Sequence, residues 1–224
     1  MVHLYCISGF GADESVFSKL QLEDSDIHFI PWLIPSKKET LSAYATRMAG
    51  QIYHKDPILL GLSFGGMMCI EIAKLVPVKV VILISSFKTY LELPSWMRLA
   101  GAIGMHHLVP LKSFKLTEPL QNYNLGIETT EEKTMVTNYR KNVNQQYTNW
   151  AINKILTWKN IWKPDKLFHI HGGKDRLLPI GNIKADYVIK SGGHMMIMNR
   201  AGEVSEWLNK ILHDLSVEMP DENV

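Results

Sequence analysis

The sequence predicts an α/β protein whose doubly wound, mostly parallel sheet has about six strands and carries a helical insertion. Three observations point there. Short apolar runs alternate with stretches of helical periodicity along most of the chain, the pattern of repeated strand and helix units. The run "PILLGLS" at 57–63 is apolar almost without interruption, as suits a strand covered on both faces of a parallel sheet. The alternation breaks once, between Phe87 and Asp165, and a connection of about eighty residues inside a domain is expected to be an inserted subdomain.

Taken in order, the first strand is "VHLYCIS" at 2–8, followed by the loop "GFGAD" and a short helix over 14–20. A second strand, "IHFIPW", leads through Pro35 into a helix. There Ser36 and Glu39 have the spacing of a capping box, and Leu41, Tyr44, Ala45, Met48 and Ile52 recur at helical intervals. The third strand, 57–63, feeds the apolar helix "FGGMMCIEIAKLV". A fourth strand spans 79–86, a fifth 166–172, and a sixth is "ADYVIK". In the closing helix Val204, Trp207, Leu208, Ile211, Leu212 and Leu215 form one apolar stripe. Within the insertion, "PSWMRLAGAIG" and "QQYTNWAINKILTWKN" are of helical type, and the tail "EMPDENV" is expected to fray. The domains expected are a core of 1–86 and 166–224 and a helical lid over 87–165.

Composition excludes several function classes. With 24 basic and 22 acidic residues in 224, the formal net charge is +2, so no strong field attracts nucleic acid or an anionic membrane. The amino terminus enters a strand at once, without the pattern of a secretory leader, and no apolar run reaches the length of a membrane span. Cys6 and Cys69 fall in a strand and a helix that both face the core, and two cysteines do not make a disulfide framework. A reduced, cytoplasmic setting is expected, with no nucleic-acid or membrane partner.

The stretch Gly61-Leu62-Ser63-Phe64-Gly65 sits where the third strand ends and a helix begins. It has the G-x-S-x-G form of a nucleophile elbow, in which glycines let strand and helix pass closely while the serine hydroxyl projects above the sheet. A serine hydroxyl needs a base, and the base needs an orienting group. "HGGKD" places Asp175 just beyond the fifth strand, and "KSGGHMM" places His194 just beyond the sixth. In a parallel sheet all three residues emerge on the same edge.

With the elbow, "HGGKDRLLP" and "GGH" in the order serine, acid, histidine, the chain resembles the α/β-hydrolase superfamily from Val2 to Leu215. The resemblance implies that Ser63, Asp175 and His194 are nucleophile, acid and base. It also implies an oxyanion hole from the backbone N–H groups of Phe10 and Phe64. Ser8 stands where the family often has histidine, which leaves the backbone donor in place. The chain starts at the family's third strand, so the antiparallel edge is expected to be missing. The segment between Asp175 and His194 leaves room for only a turn of helix.

The activity this implies is hydrolysis of an ester or thioester of a small, largely apolar acid, with no cofactor. Two alternatives share the fold: a lyase or carbon–carbon bond hydrolase using the same three residues, and a ligand receptor without turnover. His169 and His171 alternate along one strand without cysteine or carboxylate partners at ligand spacing, so packing is expected there and no metal. His106 and His107 are expected on a polar lid surface. Trp96, Met97, Met105 and Trp150 either line an acyl pocket or form the lid's own core.

Overall fold

A computed structural model describes residues 2–104 and 117–218. Met105, His106 and His107 lie outside the described residues, as does the tail beyond Glu218. The strands are β1 (Val2–Ile7), β2 (Ser25–Phe29), β3 (Ile58–Leu62), β4 (Val80–Ile84), β5 (Leu167–Gly172) and β6 (Tyr187–Ile189). They form one sheet in the order β2-β1-β3-β4-β5-β6, and every neighbouring pair is parallel. Because side chains alternate along a strand, the central strands β1, β3 and β4 each serve two cores. Tyr5, Ile7, Leu59, Val81 and Leu83 face one layer, while Leu4, Cys6, Leu60, Ile82 and Ile84 face the other.

The first layer holds α1 (Leu41–Ala49) and α2 (Phe64–Ala73). The second holds a short helix α7 (Met196–Asn199) and the closing helix α8 (Ala201–Glu218), whose Val204, Leu208, Ile211, Leu212 and Leu215 are buried as the stripe requires. Trp207 of that stripe is only partly buried and stacks on Tyr187, with ring centroids 4.2 Å apart. Between β4 and β5 the chain passes through α3 (Ser95–Ala102), α4 (Glu118–Leu125), α5 (Thr130–Asn142) and α6 (Gln145–Thr157). Among the described residues no helix is long and apolar enough to cross a membrane. Cys6 and Cys69 are buried and free.

Three local expectations are corrected. The short helix after β1 is a single 3-10 turn, Glu14–Phe17, capped by Asp13. The second strand lies earlier, at Ser25–Phe29, because Pro31 has no N–H to continue a ladder. The helix after it is capped by Thr40, whose hydroxyl accepts the Ala43 N–H at 3.1 Å. Glu39 does reach back to the Ser36 N–H at 2.7 Å, but in a turn ahead of the helix, where Arg47 also grips it through two nitrogens.

Candidate active site

Ser63 is the last residue before α2 and has φ 52° and ψ −116°, a backbone conformation that L residues avoid and that stores about 1–3 kcal/mol of strain. The fold holds it there from several sides. Its N–H donates to the Ile84 carbonyl at 2.9 Å, and its carbonyl accepts from the Gly66 N–H at 3.0 Å and the Ser86 hydroxyl at 2.6 Å. A Cβ on Gly65 would collide with the carbonyls of Ile7 and Ser8, and one on Gly61 would collide with Gly66. The glycines thus let α2 pass across the ends of β1 and β3.

Asp175 and His194 follow β5 and β6 and are nearly inaccessible, at 4% and 3% exposure. His194 Nδ1 lies 2.8 Å from Asp175 Oδ2, and its Nε2 lies 3.0 Å from Ser63 Oγ. With Asp175 ionised, Nδ1–H donates to the carboxylate, which leaves the Nε2 lone pair facing the serine hydroxyl. Burial pushes the Asp175 carboxyl up, but the His194 charge, their hydrogen bond, the Leu178 amide and His171 together outweigh it and hold the group below its ordinary value. Its other oxygen, Oδ1, accepts the N–H groups of Leu177 and Leu178 at 2.9 and 2.8 Å.

Behind Asp175 stands His171, whose Nε2 is 3.5 Å from Oδ2 and 2.8 Å from the Leu178 carbonyl. Burial is the main reason its ring titrates below the ordinary histidine value, so Nε2–H donates to Leu178 and braces the turn that carries Asp175. His171 Nδ1 then accepts from His169 Nε2 at 3.3 Å, which leaves His169 Nδ1 buried without a partner among the described residues. Sequence spacing did not mark His171 or Ser86 as supports of the site. Their place on or just after a buried strand marks them as core residues and not as supports of a site.

The loop after β1 carries Phe10. The Ser8 hydroxyl closes that loop by donating to the Ala12 carbonyl at 2.6 Å, and it accepts the Trp32 indole N–H at 3.0 Å. Among the described residues the N–H groups of Phe10 and Phe64 have no acceptor. The two rings are held from above and beside: Phe10 stacks on Tyr147, and Phe64 stacks on Trp32 at 4.8 Å.

A cavity of about 300 Å³ adjoins this loop, lined in part by Ser8, Gly11, Trp32, Val143 and Tyr147. Ser63 and His194 are not among its walls, so it is a neighbour of the serine and not its own pocket. Met97 and Trp150 lie in the core cluster around Phe64. Trp150 packs on Tyr44 at 4.2 Å, and its indole N–H donates to the Glu39 carbonyl. Trp96 is exposed on α3. None of these three lines the cavity.

No family model matches the chain, and no curated protein sequence matches it. Solved structures do. A bromoperoxidase from Bacillus anthracis superposes with a TM-score of 0.71 at 12% identity, covering 95% of this chain and 92% of that one. A thermophilic esterase from Thermogutta terrifontis gives 0.66 at 15% identity, over 96% and 90%. A lipase-esterase related protein from Clostridium acetobutylicum gives 0.64 at 18% identity, over 93% of each chain. Six parallel strands with helices on both faces, matched over nearly their whole length by these proteins, are the α/β-hydrolase fold, and this chain has it.

Proposed function

We propose that the chain is a serine hydrolase that cleaves an ester or thioester of a small, largely apolar carboxylic acid. The observation that carries this reading is the unbroken line from Asp175 Oδ2 through His194 to Ser63 Oγ, with spacings of 2.8 and 3.0 Å, ending on a strained turn. Esterases stand among the proteins of similar fold, which adds support.

In the proposed reaction Ser63 Oγ attacks the carbonyl carbon while its proton passes to His194 Nε2. Asp175 stabilises the imidazolium that results. The carbonyl oxygen becomes an oxyanion and takes hydrogen bonds from the N–H groups of Phe10 and Phe64, which are free to donate. As the C–O or C–S bond breaks, His194 returns the proton to the departing alkoxide or thiolate. Water then attacks the acyl-enzyme, giving its proton to His194, and Ser63 leaves as the hydroxyl. In this reading residues 87–165 form a lid over a core of 1–86 and 166–224. The end of α4 at Gly126 abuts Gly193 beside His194, and Tyr147 and Trp150 of α6 press on Phe10 and Phe64.

A fluorophosphonate probe tests the assignment without knowledge of the substrate. Wild-type protein should be labelled on the peptide containing Ser63, and Ser63→Ala and His194→Ala should not be labelled. An acyl-chain panel of aryl esters and thioesters should then show turnover that Ser63→Ala lacks. Folded wild-type protein that resists labelling, or that is labelled equally without His194, would overturn the reading in favour of a binding protein.

A further inference from the structure

The amino edge of the sheet, remote from Ser63, carries a second cluster of chemistry-bearing side chains that the proposed reaction does not use. Strand alternation creates it. His3 and Tyr5 share one face of β1, Asp26 and His28 share one face of β2, and the parallel register sets His3 beside Asp26 and Tyr5 beside His28. His54, on the connection from α1 to β3, lies over them, its ring stacked on His3 with centroids 3.5 Å apart.

The distances among the polar atoms are specific. His3 Nδ1 lies 3.3 Å from His28 Nε2 and 3.2 Å from Asp26 Oδ2, and His28 Nε2 lies 3.0 Å from that same oxygen. Zinc bonds of about 2.0–2.1 Å in a tetrahedron put neighbouring ligand atoms about 3.3 Å apart. The three atoms therefore already form one face of such a tetrahedron. One ring nitrogen from each of the three histidines lies within 4.8 Å of the others', so a turn of the His54 ring would carry it toward the fourth corner.

We propose that His3, His28, His54 and Asp26 form a binding site for a divalent transition-metal ion of the zinc class. Three imidazoles and one carboxylate are the donor set such an ion takes, and one that magnesium and calcium do not favour. The side chains of His3, His28 and Asp26 keep 36%, 18% and 43% of their exposure, which leaves a path for entry. Tyr5 sets the direction of His54: its hydroxyl lies 2.7 Å from His54 Nδ1 and accepts the Tyr53 N–H at 3.2 Å. A hydrogen bond of this kind on a ligating histidine orients the ring. Closure on the ion tilts His54 out of its stack, because parallel rings 7° apart in orientation aim their lone pairs along parallel planes. The bound ion would tie the edge strand β2, its neighbour β1 and the entry to β3 to one point.

Zinc titrated into the full-length chain against a chromogenic chelator, and cobalt followed by its visible spectrum, test the proposal. One equivalent should bind, cobalt should show the intense bands of four-coordination, and zinc should raise Tm. His28→Gln, His54→Gln and Asp26→Asn should each weaken binding by about tenfold or more and should shrink the Tm rise at a fixed zinc concentration. His194→Gln, and the pair His106→Gln with His107→Gln, should leave binding unchanged. His54 is on a connection between elements, so its variant keeps the test open if a strand variant fails to fold. Absence of competition with the chelator, a six-coordinate cobalt spectrum, or binding that follows His106 and His107 or His194 would each overturn the proposal.

Discussion

The two oxygens of Asp175 have different partners, and that asymmetry makes its amide variant informative. Oδ1 is filled by two backbone N–H donors, while Oδ2 faces His194 Nδ1. In Asp175→Asn the carbonyl oxygen must stay with Leu177 and Leu178, so the NH2 group turns toward His194. Nδ1 then becomes an acceptor and the remaining proton sits on Nε2, where the proposed base needs a lone pair. Ester turnover should fall by about 10⁴-fold in kcat with circular dichroism unchanged. Activity within tenfold of wild type would show that His194 reaches its working tautomer without Asp175. At this scale the three proposed catalytic residues were legible because each follows a strand with glycine beside or near it. Ser86, His171 and the histidines at 3, 28 and 54 were not, because cross-strand register and the packing of connections decide what they touch. Their spacing along the chain carries no trace of it.

Elements were legible where one force dominated. The strands β3 and β4 have every residue buried and read as apolar runs, and the α8 stripe matched its buried face at all positions but Trp207. Capping was harder, since a pattern of serine and glutamate records a possible pair of bonds and not the place where a helix starts. The full reciprocal box is at Thr129 and Glu132, opening α5. At Ser36 and Glu39 only half of it forms: the carboxylate takes the Ser36 N–H, but the Glu39 N–H donates to the Ser36 carbonyl at 3.1 Å and not to its hydroxyl. The junction of β3 with α2 gives the sharpest element-scale test. The Ile7 and Ser8 carbonyls that crowd Gly65 are backbone of a central strand and its following loop, and neither can move aside. Gly65→Ala should therefore cost about 3 kcal/mol, the upper end for overpacking, read as a lowered urea midpoint. A control at Gly202 in α8, where a Cβ would meet nothing within 4 Å, should leave stability unchanged or raise it by up to about 1 kcal/mol. Equal midpoints for the two variants would mean that α2 does not pass as closely over β1 as the geometry requires.

For the molecule as a whole, the parallel sheet buries a chain of histidines, and this sets how the fold responds to acid. His169 and His171 sit on β5 with no exposed surface. Burial, followed by the charges of His171 and Lys88, holds His169 well below the ordinary histidine value, and burial lowers His171 despite the opposing pull of Asp175 and the Leu178 carbonyl. In the unfolded chain both rings take up protons as pH drops below about 6.5. In the folded chain they remain neutral until a lower pH, so unfolding in that window consumes protons and stability falls as pH falls. Each ring contributes a slope of about 1.4 kcal/mol per pH unit until its folded value is reached. Asp175 acts in another range: its carboxyl is lowered by folding, so its contribution is present above the unfolded carboxylate value and is lost only below about pH 4. Urea midpoints between pH 7.5 and 5 should thus decline steeply, and His169→Gln should make the decline shallower by one histidine's worth whatever its effect at pH 7.5. A wild-type profile flat from pH 6.5 to 5 would show that the β5 histidines accept protons within the fold, and the orphaned His169 Nδ1 would then be where the first one goes.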